Sequence, residues 1–238
     1  MMKVASVALP VAALMVLGFV APATAAATDA DIASLKADVQ ALKKEVADLA
    51  AKAQRADDYI AISNLQRAYG FYADKAQWDQ ATDLFAKDAT LEIGGRGVYV
   101  GQDHIRTYMR HLGPLGRGQI MNHMQLQPVI DIAPDGKTAK GRWRTLVQLG
   151  QLGKSAVQGE GIYENTYVKE DGVWKIASLH YYNTFLSDFY KGWDKPGLPL
   201  VGPFPDLPAD RPPTEKFEAY PGVYVPPYHY ANPVTGRK

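Results

Sequence analysis

Residues 57–79 read DDYIAISNLQRAYGFYADKAQWD, and this stretch decides the fold. Asp57 and Asp58 stand where helix-capping acids belong. Ile62, Leu65, Tyr69 and Tyr72 follow three and four apart, so they share one stripe. The spacing predicts a helix from about Tyr59 to Ala73 with an oily, aromatic inner face. It stops at a lone acid, Asp74, and a second helix from Trp78 to Phe85 follows.

Downstream the pattern changes period. Thr90 to Ile93 reads as a short strand, Gly94, Gly95, Gly97 and Gly101 mark turns, and His104 to Leu112 reads as a third helix. Strand-like runs cover about 122–133, 138–150, 155–169 and 173–184. Turns at Pro134-Asp135-Gly136 and Glu170-Asp171-Gly172 separate two of the junctions. Helices first and strands afterwards predict an α+β domain over 57–190, with helices on one face of a strongly curved antiparallel sheet.

Upstream of Asp57 lie two further segments. Residues 1–27 carry Lys3, an apolar run from Val4 to Val20, and small residues at Ala23, Ala25 and Ala27. That is the pattern of a cleaved export signal, implying a periplasmic or secreted protein. The alternative is an uncleaved anchor, for which the run is short, since a span needs about 20 residues. In residues 28–56, Ile32, Leu35, Val39, Leu42, Val46 and Leu49 alternate three and four apart. They form a heptad seam, β-branched at most a positions and leucine at d. Asp31 and Asp38 at g face Lys36 and Lys43 at e of a parallel neighbour. The expected partner is a second copy in a parallel coiled-coil homo-oligomer, a dimer or trimer. The alternative is one amphipathic helix lying on its own domain.

Residues 191–238 hold most of the prolines, with Tyr220, Tyr224, Tyr228 and Tyr230 interleaved. Such a stretch runs extended. Its aromatic density argues for an extension lying on the body, as packing strap or lid, against a disordered tail.

Composition narrows the chemistry. The formal net charge of the 238 residues is +1, which gives no electrostatic case for nucleic acid. The chain has no cysteine, which excludes disulfides and thiol catalysis. Neither His-x-His nor His-Glu-x-x-His spacing occurs, so no metal site is expected.

Several markers recur in one order: Ala73-Asp74 with Trp78-Asp79, Leu84-Phe85 to Thr90-Leu91, Gly101 before a helix, Asn122-His123-Met124, and Asp171-Gly-Val-Trp-Lys-Ile176. In this the chain resembles the SnoaL-like branch of the nuclear transport factor 2 superfamily over residues 57 to about 187. That branch includes scytalone dehydratases, ketosteroid isomerases and polyketide cyclases. The resemblance implies a cone, in which a bent sheet wraps an apolar pocket closed by helices. The scytalone dehydratase pattern places a catalytic aspartate on Asp74 and its partner histidine on His123. Its two catalytic tyrosines fall on Ala73 and near Gly95, its second histidine near Leu149, and a pocket asparagine near Tyr163. The acid–imidazole pair is thus kept while the substrate-gripping groups differ. Some bacterial members of the superfamily are lignin-dimer lyases that release formaldehyde from diarylpropane diols without a cofactor.

The expected catalytic residues are therefore Asp74 and His123. A carboxylate in an apolar cup gains proton affinity, and imidazole titrates near neutrality. Their bland alternatives are a helix-end cap and a structural histidine. Tyr69, Tyr72, Trp143 and Tyr163 are the expected substrate-binding aromatics, with plain core packing as the alternative. His180 joins them because it shares the alternation of Trp174, Ile176 and Ser178. Arg142 and Arg144, out of phase with Trp143, are expected to face solvent or a neighbouring subunit. The reading is a cofactor-independent lyase or dehydratase acting on a hydroxylated aromatic small molecule. The alternatives are an isomerase or cyclase of the same fold, and a binding module that does no chemistry.

Overall fold

The computed structural model describes residues 28–237. The expected export signal, residues 1–27, lies outside the described residues. The described chain divides into two compact units between Asp48 and Leu49.

Helix α1 runs from Asp29 to Ala73. Its start is capped reciprocally: Thr28 accepts from the Asp31 N–H, and the Asp31 carboxylate accepts from the Thr28 N–H at 2.9 Å. In the first unit Leu35, Leu42 and Val46 are about 60% exposed (64%, 59% and 64%), so this apolar seam is uncovered among the described residues.

In the second unit Asp58 corrects the expected helix start. It is buried in mid-helix, where its carboxylate accepts from Lys169 Nζ at 2.5 Å and Trp174 Nε1 at 2.9 Å. A capping acid and a buried acid look alike in sequence, and here the sheet supplies the partners that let the helix pass through.

After α1 come α2 (Trp78–Asp83), β1 (Phe85–Ile93), β2 (Val98–Val100), α3 (Gln102–His111), β3 (Gln119–Ile132), β4 (Thr138–Gln151), β5 (Ser155–Glu170) and β6 (Val173–Asp188). The six strands form one sheet in the order β2-β1-β6-β5-β4-β3. The sheet is mixed: β1 pairs parallel to β6, and every other pairing is antiparallel. Register shifts interrupt β1/β6, β3/β4 and β5/β6. Such bulges bend a sheet and raise its twist, as a wrapped sheet requires. One face buries Trp143, Tyr163, Tyr167, Leu179 and Tyr181.

Gly70 sets how closely α1 approaches β3. A Cβ there would lie 2.8 Å from Gln125 Cγ and 3.0 Å from the His123 carbonyl oxygen. Gln66, one turn earlier, joins a buried network. Its Oε1 accepts from Asn165 Nδ2 at 2.9 Å and the Tyr167 hydroxyl at 3.0 Å, and its Nε2 donates to Gln125 Oε1 at 2.9 Å. Buried amides satisfied in this way fix one arrangement of helix on sheet.

The extension from residue 191 lies on the second unit. Its first part bridges the β2 edge, where the Val98 N–H donates to the Arg211 carbonyl at 2.9 Å, and Gly95 N–H donates to the Val201 carbonyl at 3.0 Å. Its second part covers outward-facing strand residues. Thr214 donates twice to Glu92, Tyr182 and Tyr224 both donate to Glu215, and Arg142 reaches the Pro226 carbonyl. Arg142, expected at the solvent, is instead buried against Glu164 with its guanidinium 4.0 Å over the Tyr228 ring. Arg144 does face outward, paired with Glu160.

Candidate functional site

The inner face of the sheet and the helices enclose a cavity of about 170 Å³. Tyr69 and Ala73 enter it from the last turns of α1, Trp78 from α2, and Tyr108 and Met109 from α3. The Trp78 indole N–H donates to the Gly113 carbonyl at 2.7 Å, which fixes that wall. Strands β3 to β6 supply Met121, His123, Val147, Tyr163, Tyr181 and Asn183, and the extension adds Val201. The enclosed space is about that of an engineered 150 Å³ cavity that holds one benzene ring.

Asp74 and His123 do meet, though through the main chain. The His123 N–H donates to Asp74 Oδ1 at 2.5 Å. β3 is the end strand of the sheet, and this N–H points off its free edge. The acid at the end of α1 thereby satisfies an edge donor that would otherwise need water. The His123 ring turns into the cavity, where Nδ1 is sealed from solvent with no hydrogen-bond partner among the described residues. Burial pulls the imidazole below its ordinary value, and the nearby Asp74 charge opposes this. A neutral imidazole next to a carboxylate can accept a proton and then be stabilised as the cation. Asp74 stands outside the cavity lining and touches it only through His123.

Two phenols face the imidazole's compartment. The Tyr69 and Tyr163 rings pack edge-on at 6.2 Å, and Tyr163 packs on Tyr181 at 4.8 Å. Burial raises the Tyr69 and Tyr163 phenols well above their ordinary value, with neighbouring tyrosines adding to the shift. They therefore stay protonated near neutral pH.

Four polar atoms around this apolar space are buried without partners among the described residues: Arg96 Nε, His123 Nδ1, Tyr181 Oη and Asn183 Oδ1. Buried polar groups are nearly always paired. An apolar hollow with a few convergent, unsatisfied polar groups is the ordinary form of a small-molecule site.

A family profile of the SnoaL-like domain matches residues 54–180, more than half of the chain. The chain belongs to the SnoaL-like domain family. Solved structures agree on the fold. A Novosphingobium aromaticivorans protein assigned provisionally as a scytalone dehydratase is 19% identical with a TM-score of 0.54, over 65% of this chain and 97% of that one. The hexachlorocyclohexane dehydrochlorinase LinA-type3 of Novosphingobium barchaimii LL02 is 18% identical with a TM-score of 0.53, over 61% and 99%. A type 2 form of that dehydrochlorinase is 21% identical with a TM-score of 0.53, over 58% and 93%.

Within this SnoaL-like domain, Tyr69, Tyr163 and His123 line the cavity, and three other expected residues do not. Tyr72 packs half-buried against the core from outside the lining. Trp143 is fully buried deeper in the sheet, where its Nε1 donates to the Tyr167 hydroxyl at 2.8 Å. His180 lies on the opposite face, stacked on Tyr182 at 3.9 Å with its Nε2 3.5 Å from Glu92. The cause is the register shift in β6. Tyr167 pairs with Ile176, but Thr166 pairs with Ser178, so Ala177 is an inserted residue. From that point the inward set becomes Leu179, Tyr181 and Asn183, and strict alternation from Trp174 assigns the wrong face. Tyr181, Asn183 and Arg96 are therefore the site residues that sequence reading missed. Only the bulge would have revealed the first two. Arg96 sits in a glycine-rich loop with no periodicity to read.

Proposed function

We propose that this SnoaL-like domain is a cofactor-independent lyase of the dehydratase type acting on a small hydroxylated aromatic molecule. The observation that carries the reading is the buried His123 ring, which lines an apolar, ring-sized cavity beside protonated phenols. In the proposed step His123 removes a proton from a C–H next to the carbon that bears the hydroxyl. The C–H electron pair forms the new double bond, and the hydroxyl leaves as water with a proton from Tyr69 or Tyr163. Asp74 holds the His123 main chain in place and stabilises the imidazolium. General acid–base assistance of this kind contributes roughly 10²–10⁴-fold. Structural neighbours named as dehydratase and dehydrochlorinase support elimination as the reaction class.

A finer form of the reading is deformylation of a lignin-derived diarylpropane diol. There, loss of the benzylic hydroxyl would give a quinone methide. Deprotonation of the remaining hydroxymethyl group would then break its C–C bond and release formaldehyde; that bond's electron pair forms the new carbon–carbon double bond, and the quinone methide's pair returns to the ring oxygen, which regains its proton. The test incubates the purified protein with phenolic benzylic alcohols and diarylpropane diols, following new ultraviolet absorbance and formaldehyde. Turnover that His123→Gln abolishes supports the reading. Full activity in both His123→Gln and Asp74→Asn overturns it, and ligand binding without any turnover favours the binding-module alternative.

Two placements accompany this proposal. The exposed seam of α1, with acids at g and lysines at e, supports a parallel homo-oligomer. The sequence of residues 1–27 supports export. Amino-terminal sequencing of the periplasmic fraction checks the second.

A further inference from the structure

Arg96 contributes the one ionised side chain among the cavity-lining residues, since His123 is held neutral by burial and the phenols stay protonated. It is unusual in having no counter-ion: no carboxylate among the described residues lies within 4.0 Å of it. Rings hold it instead. Its guanidinium carbon lies 4.1 Å from the centre of the Phe204 ring and 5.6 Å from that of Tyr108. Nη1 donates to the Tyr108 hydroxyl at 2.5 Å, while Nε is buried with no partner. One edge of the planar fork is thus committed, and the edge carrying Nε is not.

A guanidinium partly removed from water is costly unless an anion or several acceptors meet it. Aromatic faces offset some of this cost. The free Nε edge has the geometry that takes a carboxylate through two parallel hydrogen bonds.

We infer that the cavity selects an aromatic acid, a single ring bearing a carboxylate that pairs with Arg96 while the ring lies among the tyrosines. This rests on the reading of the cavity as the substrate site, but not on any catalytic step. It divides the site by role: Arg96 sets which molecule enters, and His123 acts on it.

The test measures binding by Trp78-sensitive fluorescence quenching and by calorimetry. The probes are 4-hydroxybenzoate, its methyl ester, and 4-nitrophenol on either side of its ionisation. The expected result is that wild type binds the acid at least tenfold more tightly than the ester. Arg96→Gln should lose that preference, its acid-to-ester affinity ratio falling to about one, and Arg96→Lys should retain part of it because an ammonium cannot present a fork. A near-ultraviolet circular dichroism spectrum matching wild type reports that the variant is folded. If Arg96→Gln does not fold, the acid-to-ester ratio of wild type and of Arg96→Lys decides. Equal affinity for acid and ester overturns the inference, as does failure of the acid to bind or full retention of the preference in Arg96→Gln. A preference for ionised nitrophenol over the carboxylate replaces the carboxylate with a phenolate and overturns the stated class. Acid binding with no turnover of any aromatic alcohol sinks the lyase reading alone. Turnover of neutral aromatics with no preference for acids sinks this inference alone.

Discussion

Asp74 grips His123 by its backbone, not by its ring: Oδ1 accepts the main-chain N–H at 2.5 Å while the imidazole points away into the cavity. Two contributions of the acid can therefore be separated. Asp74→Asn keeps an acceptor oxygen for the N–H and removes the charge. Asp74→Ala removes both. We expect the asparagine variant to unfold close to wild type while losing roughly 10²-fold in kcat, the lower end of the acid–base range. The alanine variant should lose a further about 1–2 kcal/mol of stability, as for a hydrogen bond to a charged group. Urea unfolding beside steady-state kinetics separates the two. An asparagine variant with wild-type kcat would show that the charge has no role.

The pH dependence follows from burial of His123. Its folded value lies below the ordinary 6.5, so the unfolded chain binds the proton more readily. Stability from keeping this ring neutral is complete above about pH 6.5 and is lost as pH falls below it. His180, also lowered by burial and opposed by Glu92, Glu215 and Glu164, adds with the same sign. We expect the urea midpoint to drop between pH 7 and pH 5, and His123→Gln to flatten that drop. The acid limb of kcat/KM should lie below pH 6.5, because a depressed imidazole remains a base there. An acid limb above 6.5 would contradict the burial of this ring.

Gly70→Ala sets two effects against each other. Alanine in a helix gains about 1 kcal/mol over glycine. Its Cβ, however, would press on Gln125, already tied to Gln66 and to the His123 carbonyl, and on that carbonyl itself. Overpacking of this sort costs about 1–3 kcal/mol, so the clash outweighs the propensity. Net destabilisation with a lower melting temperature is expected, together with reduced activity as β3 is pushed outward. A rise in melting temperature would show that the helix and strand are less closely fixed.

The seam of α1 makes a concentration-dependent prediction. If the seam pairs with a second copy as proposed, Leu42→Asp should lower the sedimentation coefficient of the protein to that of a monomer. Lys36→Glu with Lys43→Glu would place like charges opposite Asp31 and Asp38, and should weaken assembly in a way that added salt relieves. Unchanged sedimentation in Leu42→Asp removes the coiled coil.

Much of the architecture was open to reading because its signals are local. The stripe Ile62, Leu65, Tyr69, Tyr72 located the end of α1, and the two Asp-Gly turns located the long strands. The failures come from contacts made at a distance. Asp58 looked like a helix start until Lys169 and Trp174 arrived from β5 and β6. The parallel pairing of β1 with β6 leaves no trace in a nine-residue strand, and β2 has three residues hidden among glycines. At the cavity, Tyr69 was legible from the helix period and His123 from the family resemblance, while Tyr163 was read as a cup-lining aromatic although the resemblance placed an asparagine near it. Asn183 and Tyr181 were lost to one inserted residue, and Arg96 to an aperiodic loop.

That inserted residue, Ala177, acts as a frame switch. Removing it would restore simple alternation and exchange Tyr181 and Asn183 for Tyr182 and His180 at the cavity wall, with no other change to the chain. A lineage carrying this strand holds two chemical toolkits on opposite sides of one ribbon. A three-nucleotide deletion would be enough to trade an amide for a second imidazole while keeping a phenol.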